Sequence, residues 1–305
     1  MPDGVAAATV RKRPNWVPYA LLAPGLLWLV VFFVLPTLSL ASQSLQTGDV
    51  YNGYSLTWHV QTYVDALSTY WPQLLRSLMY AGLATLLTLL LGYPLAWFVA
   101  HRSGRWKNVL LVLVIAPFYT SFLIRTLAWQ TILGDQGLLT SLLDRLHLTW
   151  ALHGFESFLG AVGLGSGSQL LYSPFAVICG LTYNFLPFMV LPLYANIERL
   201  DLRLTEAASD LYASPVQAFR RVIWPLSLPG VVGGTLLTFI PATGDYINSV
   251  LLGSAKTTMI GQVIDAQFLR VLDYPLAAAL SFILMVVIIV LVMSYVRRAG
   301  TEELL

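Results

Sequence analysis

Charge is scarce in this sequence. Asp, Glu, Lys and Arg together make up 10% of its 305 residues, against 57% hydrophobic residues. Soluble domains carry about 25% charged residues, so the charged coat of a water-solvated protein this size is missing. Mean hydropathy is positive, and a cytosolic enzyme, a secreted disulfide scaffold and a disordered chain are disfavoured together. Cysteine is nearly absent. The single Cys179 excludes an internal disulfide and any multi-cysteine metal site; in its apolar run it reads as a small buried hydrophobe. The three lysines, Lys12, Lys107 and Lys256, follow Arg11, Trp106 and Ala255, so none completes the Gly-Lys-Ser/Thr of a phosphate-cradling loop. The four histidines, His59, His101, His147 and His153, have no metal-ligand spacing. A net charge of +2 gives no argument for nucleic acid.

What the sequence has instead is long uncharged runs. They lie between Arg13 and Asp49, Arg76 and Arg102, Lys107 and Arg125, Glu156 and Glu198, Arg221 and Asp245, and Asp273 and Arg297. A helix needs roughly 20 apolar residues to cross about 30 Å of hydrocarbon. Six membrane helices are predicted, near 18–43, 75–100, 108–131, 171–196, 222–244 and 275–296, the third interrupted by Arg125 near one end. With the N-terminus inside, 12 of the 17 Lys and Arg residues fall on the cytoplasmic side, which predicts N-in, C-in topology. The first run follows Arg11-Lys12-Arg13 but exceeds the 7–15 residues of a signal-peptide core. It is expected to stay as an anchor. Residues 1–17 and 299–305 are then cytoplasmic tails around a six-helix transmembrane domain at 18–298. Outside, 136–146 reads as a short amphipathic surface helix and Gly163–Ser168 as a flexible connector.

The inner loop 197–221 holds eight charged residues, the densest cluster in the chain. Glu206-Ala207-Ala208 favours helix. Ser214-Pro215-Val216-Gln217 has the N-cap, N1 proline and N3 glutamine of a capping box. The pattern predicts helix, tight turn, helix, with Pro225 and Pro229-Gly230 marking re-entry into the membrane. A solvated loop that only enforces topology is the alternative reading.

From Glu206-Ala207-Ala208 through Asp210-Leu211-Tyr212-Ala213-Ser214-Pro215 and Phe219-Arg220-Arg221 to Trp224-Pro225 and Pro229-Gly230, the segment resembles the EAA loop of binding-protein-dependent ABC importer permeases. One position departs: Tyr212 stands where that family has a glycine, whose backbone freedom makes the turn. Leu123-Ile124-Arg125-Thr126-Leu127-Ala128-Trp129, Tyr183-Asn184-Phe185-Leu186-Pro187 and Phe239-Ile240-Pro241-Ala242-Thr243-Gly244-Asp245-Tyr246 resemble the polyamine branch. The resemblance implies an all-α integral membrane protein of six transmembrane helices with type I importer permease (MetI-like) architecture. It implies a pore subunit without catalysis of its own. ATP and Mg2+ would bind at a separate ATPase, and the other partners would be a second permease, a different protein, and an external solute-binding protein. Contact with the ATPase falls on Glu206, Ala207, Ala208, Asp210, Ala213, Ser214, Pro215 and Phe219, as a helix laid in a groove.

Ionisable groups inside spans are functional candidates by default. Asp245 beside Tyr246 suits an alkylammonium solute through ion pairing and cation–π contact, or else ends a helix in water. Arg125 is a pathway group, a snorkelling side chain or half of a salt bridge across a permease dimer. Tyr183, Asn184 and Trp129 complete the pathway candidates. Pro94, Pro117, Pro187, Pro192 and Pro241 are expected to bend their helices. A self-sufficient secondary transporter or channel would show matching broken helices in its two halves; the dense loop occurs once. A membrane-embedded enzyme would need a clustered catalytic motif, and none is present.

Overall fold

The computed structural model describes residues 16–134, 136–145, 157, 170–201 and 203–298. Arg11–Arg13, His147, His153, the Gly163–Ser168 connector and the tail at 299–305 lie outside the described residues. The elements are helices α1 (Val17–Leu29) and α2 (Leu35–Gln43), joined by a π-helical turn, then a hairpin of β1 (Gln46–Asp49) and β2 (Gly53–Leu56). Helices α3 (Gln61–His101), α4 (Lys107–Ile115), α5 (Phe122–Leu133) and α6 (Leu138–Arg145) follow. After them come α7 (Pro174–Ile197), α8 (Arg203–Asp210), α9 (Pro215–Ala218) and α10 (Trp224–Thr243). The chain ends with α11 (Ile247–Leu252), α12 (Ile260–Ala266) and α13 (Tyr274–Arg298).

Five helical runs are long and apolar enough to cross a membrane: Pro18–Gln43, Gln61–His101, Pro174–Ile197, Pro215–Thr243 and Tyr274–Arg298. The third expected span differs. It is a pair, Gly104–Tyr119 and Phe122–Leu133, bent by 96°. Pro117 tightens Ala116–Tyr119 into a 3-10 turn, and Thr120 and Ser121 are extended. The backbone freed there finds local partners, as it must in hydrocarbon: the Thr120 hydroxyl donates to the Pro117 carbonyl at 2.8 Å, and the Arg125 amide to the Ser121 carbonyl at 3.1 Å.

Two boundaries also move. Helix α3 starts at Gln61 instead of near 75, and its 41 residues make it about 60 Å long, so it stands well clear of the hydrocarbon. The fifth span is continuous with the loop helix from Pro215 to Thr243. Pro225 cannot donate to the Arg221 carbonyl, and the chain widens into a π-helical turn at Phe219–Ile223 just ahead of it.

Helix α7 is the centre of the bundle. Ser173 caps it by accepting the Ala176 amide at 3.2 Å, with Pro174 at N1. Its Val177, Leu181, Met189, Val190, Leu193 and Ile197 are buried. Lipid tails are as apolar as leucine, so close backbone approach, not hydrophobicity, holds membrane helices together. Small residues provide it. A Cβ on Gly234 of α10 would lie 2.7 Å from the Met189 sulfur, and one on Gly92 of α3 would lie 3.2 Å from Val190. Helices α1 and α2 are the opposite case, with none of the span Pro18–Gln43 buried in this chain.

Residues 244–273 fold back against the bundle through polar side chains of α3. Ser77 accepts the Ile260 amide at 2.7 Å, and Arg76 donates to the Thr258 carbonyl at 2.8 Å. The hairpin is held at its turn and by a contact from β2. Asp49 accepts the amides of Tyr51 at 2.9 Å and Asn52 at 2.6 Å, which holds its carboxyl below the usual carboxylate range. The Tyr54 hydroxyl donates to the Leu272 carbonyl. The short outer helix expected at 136–146 is present as α6.

Candidate functional site

Two constructions stand out: the loop between α7 and α10, and a polar seam inside the bundle. In the loop, α8 ends in a tight αL turn. Tyr212 has φ of 58°, and the Ala213 amide behind it donates to the Ala208 carbonyl at 3.0 Å, the six-to-one bond of a Schellman motif. Tyrosine therefore makes the turn the family assigns to glycine. L-residues enter this region at a cost of about 1–2 kcal/mol. The capping box follows as expected: Ser214 Oγ accepts the Gln217 amide at 3.3 Å and Gln217 Oε1 accepts the Ser214 amide at 3.0 Å.

Of the eight loop residues, Glu206, Ala207, Asp210, Ser214 and Pro215 are exposed and Ala208 and Ala213 half-buried. Leu211, Tyr212 and Val216 also face solvent, so the loop presents an apolar surface together with its charges. Phe219 is placed differently. Its ring packs edge-on against Tyr93 of α3 at 5.6 Å and lies 6.2 Å from Trp224. Tyr93 in turn shares a hydrogen bond of 2.9 Å with Ser227. Phe219 thus roots the loop in the bundle through one face while 38% of it stays exposed. Lys107 holds the other end of the loop: it pairs with Glu198 and lies over the Tyr194 ring at 5.5 Å, and its hydrogen bond holds the Glu198 carboxyl below the usual range.

The seam joins α5, α7 and α11. Asn184 is fully buried, and its Nδ2 donates to Thr126 Oγ1 and Asn248 Oδ1, both at 3.2 Å. Among the described residues, Asn184 Oδ1 and Asn248 Nδ2 have no partner within hydrogen-bond geometry. Asp245 accepts the Asn248 amide at 2.8 Å and is 9% exposed. The pathway candidates divide accordingly. Asn184 and Asp245 fold into the seam, with Arg125 buried beside Phe122 on α5. Tyr183 and Tyr246 reach the surface, and half-buried Trp129 packs edge-on against Tyr183 at 5.7 Å. The sequence reading missed Thr126, Asn248, Tyr93 and Trp224. A polar residue in an apolar run next to Arg125, and an asparagine three residues after Asp245, were the available signals.

This combination, six candidate crossings counting the bent pair and one capped helical loop, is that of an ABC importer permease. Residues 92–299 match the family described as binding-protein-dependent transport system inner membrane component, and the chain belongs to it. It is 40% identical, over 89% of its length and 94% of the relative's, to the spermidine/putrescine transport system permease protein PotB of Escherichia coli (strain K12). Identity to PotB of Haemophilus influenzae is 36% over 88% of this chain and 90% of that one. To the inner membrane ABC transporter permease protein YdcU of Escherichia coli (strain K12) it is 31% over 96% and 93%. The fold is similar to that of a bacterial alginate ABC transporter in complex with alginate pentasaccharide-bound periplasmic protein, with TM-score 0.61 and 21% identity over 94% of this chain and 96% of that one.

Proposed function

We propose that this chain is a pore-forming permease subunit of an ATP-driven importer that carries a polyamine of the spermidine/putrescine kind across the inner membrane. The observation that carries the reading is the exposed, doubly capped helical loop at 203–218 in a chain 40% identical to spermidine/putrescine permeases. A separate ATPase holds ATP and Mg2+ and receives this loop in a groove. A second permease, a different protein, completes the pore, and an external solute-binding protein delivers the polyamine. Both termini are cytoplasmic. Closure of the ATPase favours one of two bundle arrangements through its differential affinity for them; the Phe219–Tyr93–Trp224 cluster joins the loop to α3 and α10 for that movement. Tyr183, Trp129 and Tyr246 supply ring faces for alkylammonium groups, and Asp245 supplies the counter-charge.

The test is reconstitution of this chain with its co-eluting partners in liposomes, followed by uptake of labelled spermidine. ATP-dependent uptake that needs the solute-binding protein is expected. Uptake by the chain alone, without ATP, would make it a secondary transporter or channel and end the proposal.

A further inference from the structure

Helices α10 and α13 both lie against α3 but touch each other little, and a groove of about 600 Å3 is left open among the three. That is the size of a ligand cleft. Gly82 and Thr85 of α3, Trp224 and Phe239 of α10, and Tyr295 and Arg298 of α13 are among the residues that line it. A second groove of about 300 Å3 adjoins it and shares Thr235, Phe239, Tyr295 and Arg298. Two slots therefore meet at one end of α13. That end carries positive charge. Arg298 is the last residue of α13, with Arg297 beside it, and Arg220 and Arg221 stand just ahead of Trp224. All four arginines are exposed. Among the described residues none of them has an ion pair, and no Asp or Glu lines either groove.

Three occupants compete for the grooves. A polyammonium solute would meet apolar walls and a charge of its own sign. A helix of a neighbouring subunit is too thick. The lining of the larger groove runs along α10 from Trp224 to Phe239, about 22 Å at 1.5 Å per residue, which leaves a mean section of about 27 Å2. A helix with its side chains is about 10–12 Å across, a section of roughly 80 Å2 or more. An extended hydrocarbon chain is slim enough to enter. The length agrees, since one leaflet offers about 15 Å of hydrocarbon and about 6 Å of headgroup layer. A phospholipid also accounts for the rest of the site, with two tails for two slots and a phosphate for the arginine where they meet. Trp224 and Tyr295 line the same end, and such rings sit at headgroup level. Basic pockets between membrane helices on the cytoplasmic side bind anionic headgroups.

We propose that an anionic phospholipid is seated here, its phosphate on Arg298 and its tails along α10 in the two grooves. Naming its leaflet as the inner one rests on the cytoplasmic termini proposed above; the seat itself does not. Trp224 also packs against Tyr93, so the lipid lies against the root of the loop.

The experiment uses the whole transporter, purified in mild detergent through a tag on this chain and equilibrated with mixed micelles of equal phosphatidylglycerol and phosphatidylcholine. Native mass spectrometry counts each lipid bound. The unsubstituted transporter is expected to hold phosphatidylglycerol about fivefold over phosphatidylcholine, the scale of one basic residue at an anionic headgroup. Arg298→Gln, at an exposed helix end, is expected to bring that ratio to about one. Gly82→Leu grows a side chain into the groove from a position where a Cβ meets nothing within 4 Å. It is expected to lower retention of both lipids several-fold in a protein that melts like its parent. Equal binding of the two lipids by the unsubstituted transporter overturns the proposal. So does a phosphatidylglycerol preference that survives Arg298→Gln, or retention untouched by a well-folded Gly82→Leu, which would put the lipid elsewhere. A transporter that retains no lipid overturns it too and leaves the groove to detergent or to a protein partner. Uptake without ATP, which would end the function proposed above, leaves these lipid counts as they are, so the two readings fail separately.

Discussion

Lys107 and Glu198 are ion-paired across 91 residues of sequence, and the pair joins the first residue of α4 to the residue that follows α7. It fastens the root of the EAA-type loop to the short connection after α3. Both side chains are partly exposed, so the pair is screened by salt. Its charge state sets a pH window. The folded carboxyl is held below the ordinary glutamate value of 4.5, first by the Lys107 hydrogen bond. A depressed carboxylate adds stability above its unfolded value and loses it as pH falls through its folded value. Melting curves of the detergent-solubilised protein should therefore show a small deficit of Glu198→Gln at neutral pH. The deficit should close below pH 4.5 and shrink in high salt at neutral pH. A deficit independent of both would mean that the contact acts through packing on Tyr194.

Tyr212 tests the loop turn. With φ of 58°, a glycine there relieves about 1 kcal/mol of backbone strain. Tyr212→Gly is expected to keep ATPase association and ATP-driven uptake. Tyr212→Pro, whose ring holds φ near −65°, is expected to abolish both while the membrane bundle melts normally. Equal activity of the two variants would show that the turn does not matter for coupling.

Glycine spacing predicts where the bundle tolerates a methyl group. A Cβ on Gly261 would lie 2.3 Å from the Gly244 carbonyl oxygen, a backbone atom, whereas one on Gly82 meets nothing within 4 Å. Gly261→Ala should lower yield and melting temperature sharply by pushing α12 off its seat. Gly82→Ala, in the middle of α3, should be neutral or stabilise by up to about 1 kcal/mol. Thermal unfolding of the two proteins in detergent decides it.

Asp245 serves two masters in this reading, capping the Asn248 amide at 2.8 Å and offering charge to a cation. Asp245→Asn keeps an acceptor oxygen and removes the charge. Stability should change little, and the KM for spermidine should rise about tenfold or more, the scale of one lost charged hydrogen bond. An unchanged KM, measured in proteoliposomes, would leave Asp245 as a helix cap alone.

The capping box at Ser214 and Gln217 was legible because its residues are neighbours in sequence and its geometry is local. The turn at Tyr212 was legible from the loop around it, although tyrosine hid the left-handed backbone that a glycine would have announced. The bent third span was only half legible. Pro117 and Arg125 marked trouble there, yet an uncharged run of the right length reads the same whether straight or folded through 96°. The seam was not legible as a unit. Asn184 meets Thr126 and Asn248 across 58 and 64 residues, and nothing in the local pattern of any one of them names the other two.

The sequence by itself therefore determined the solvent of this protein, the approximate crossings and the capped loop, because hydrocarbon thickness, charge scarcity and helix caps act within one segment at a time. Only the tertiary structure decided which polar side chains meet, which pathway candidates are covered and that Arg125 is buried with no ion-pair partner among the described residues. Those outcomes depend on which helices lie side by side and how closely their small residues let the backbones approach.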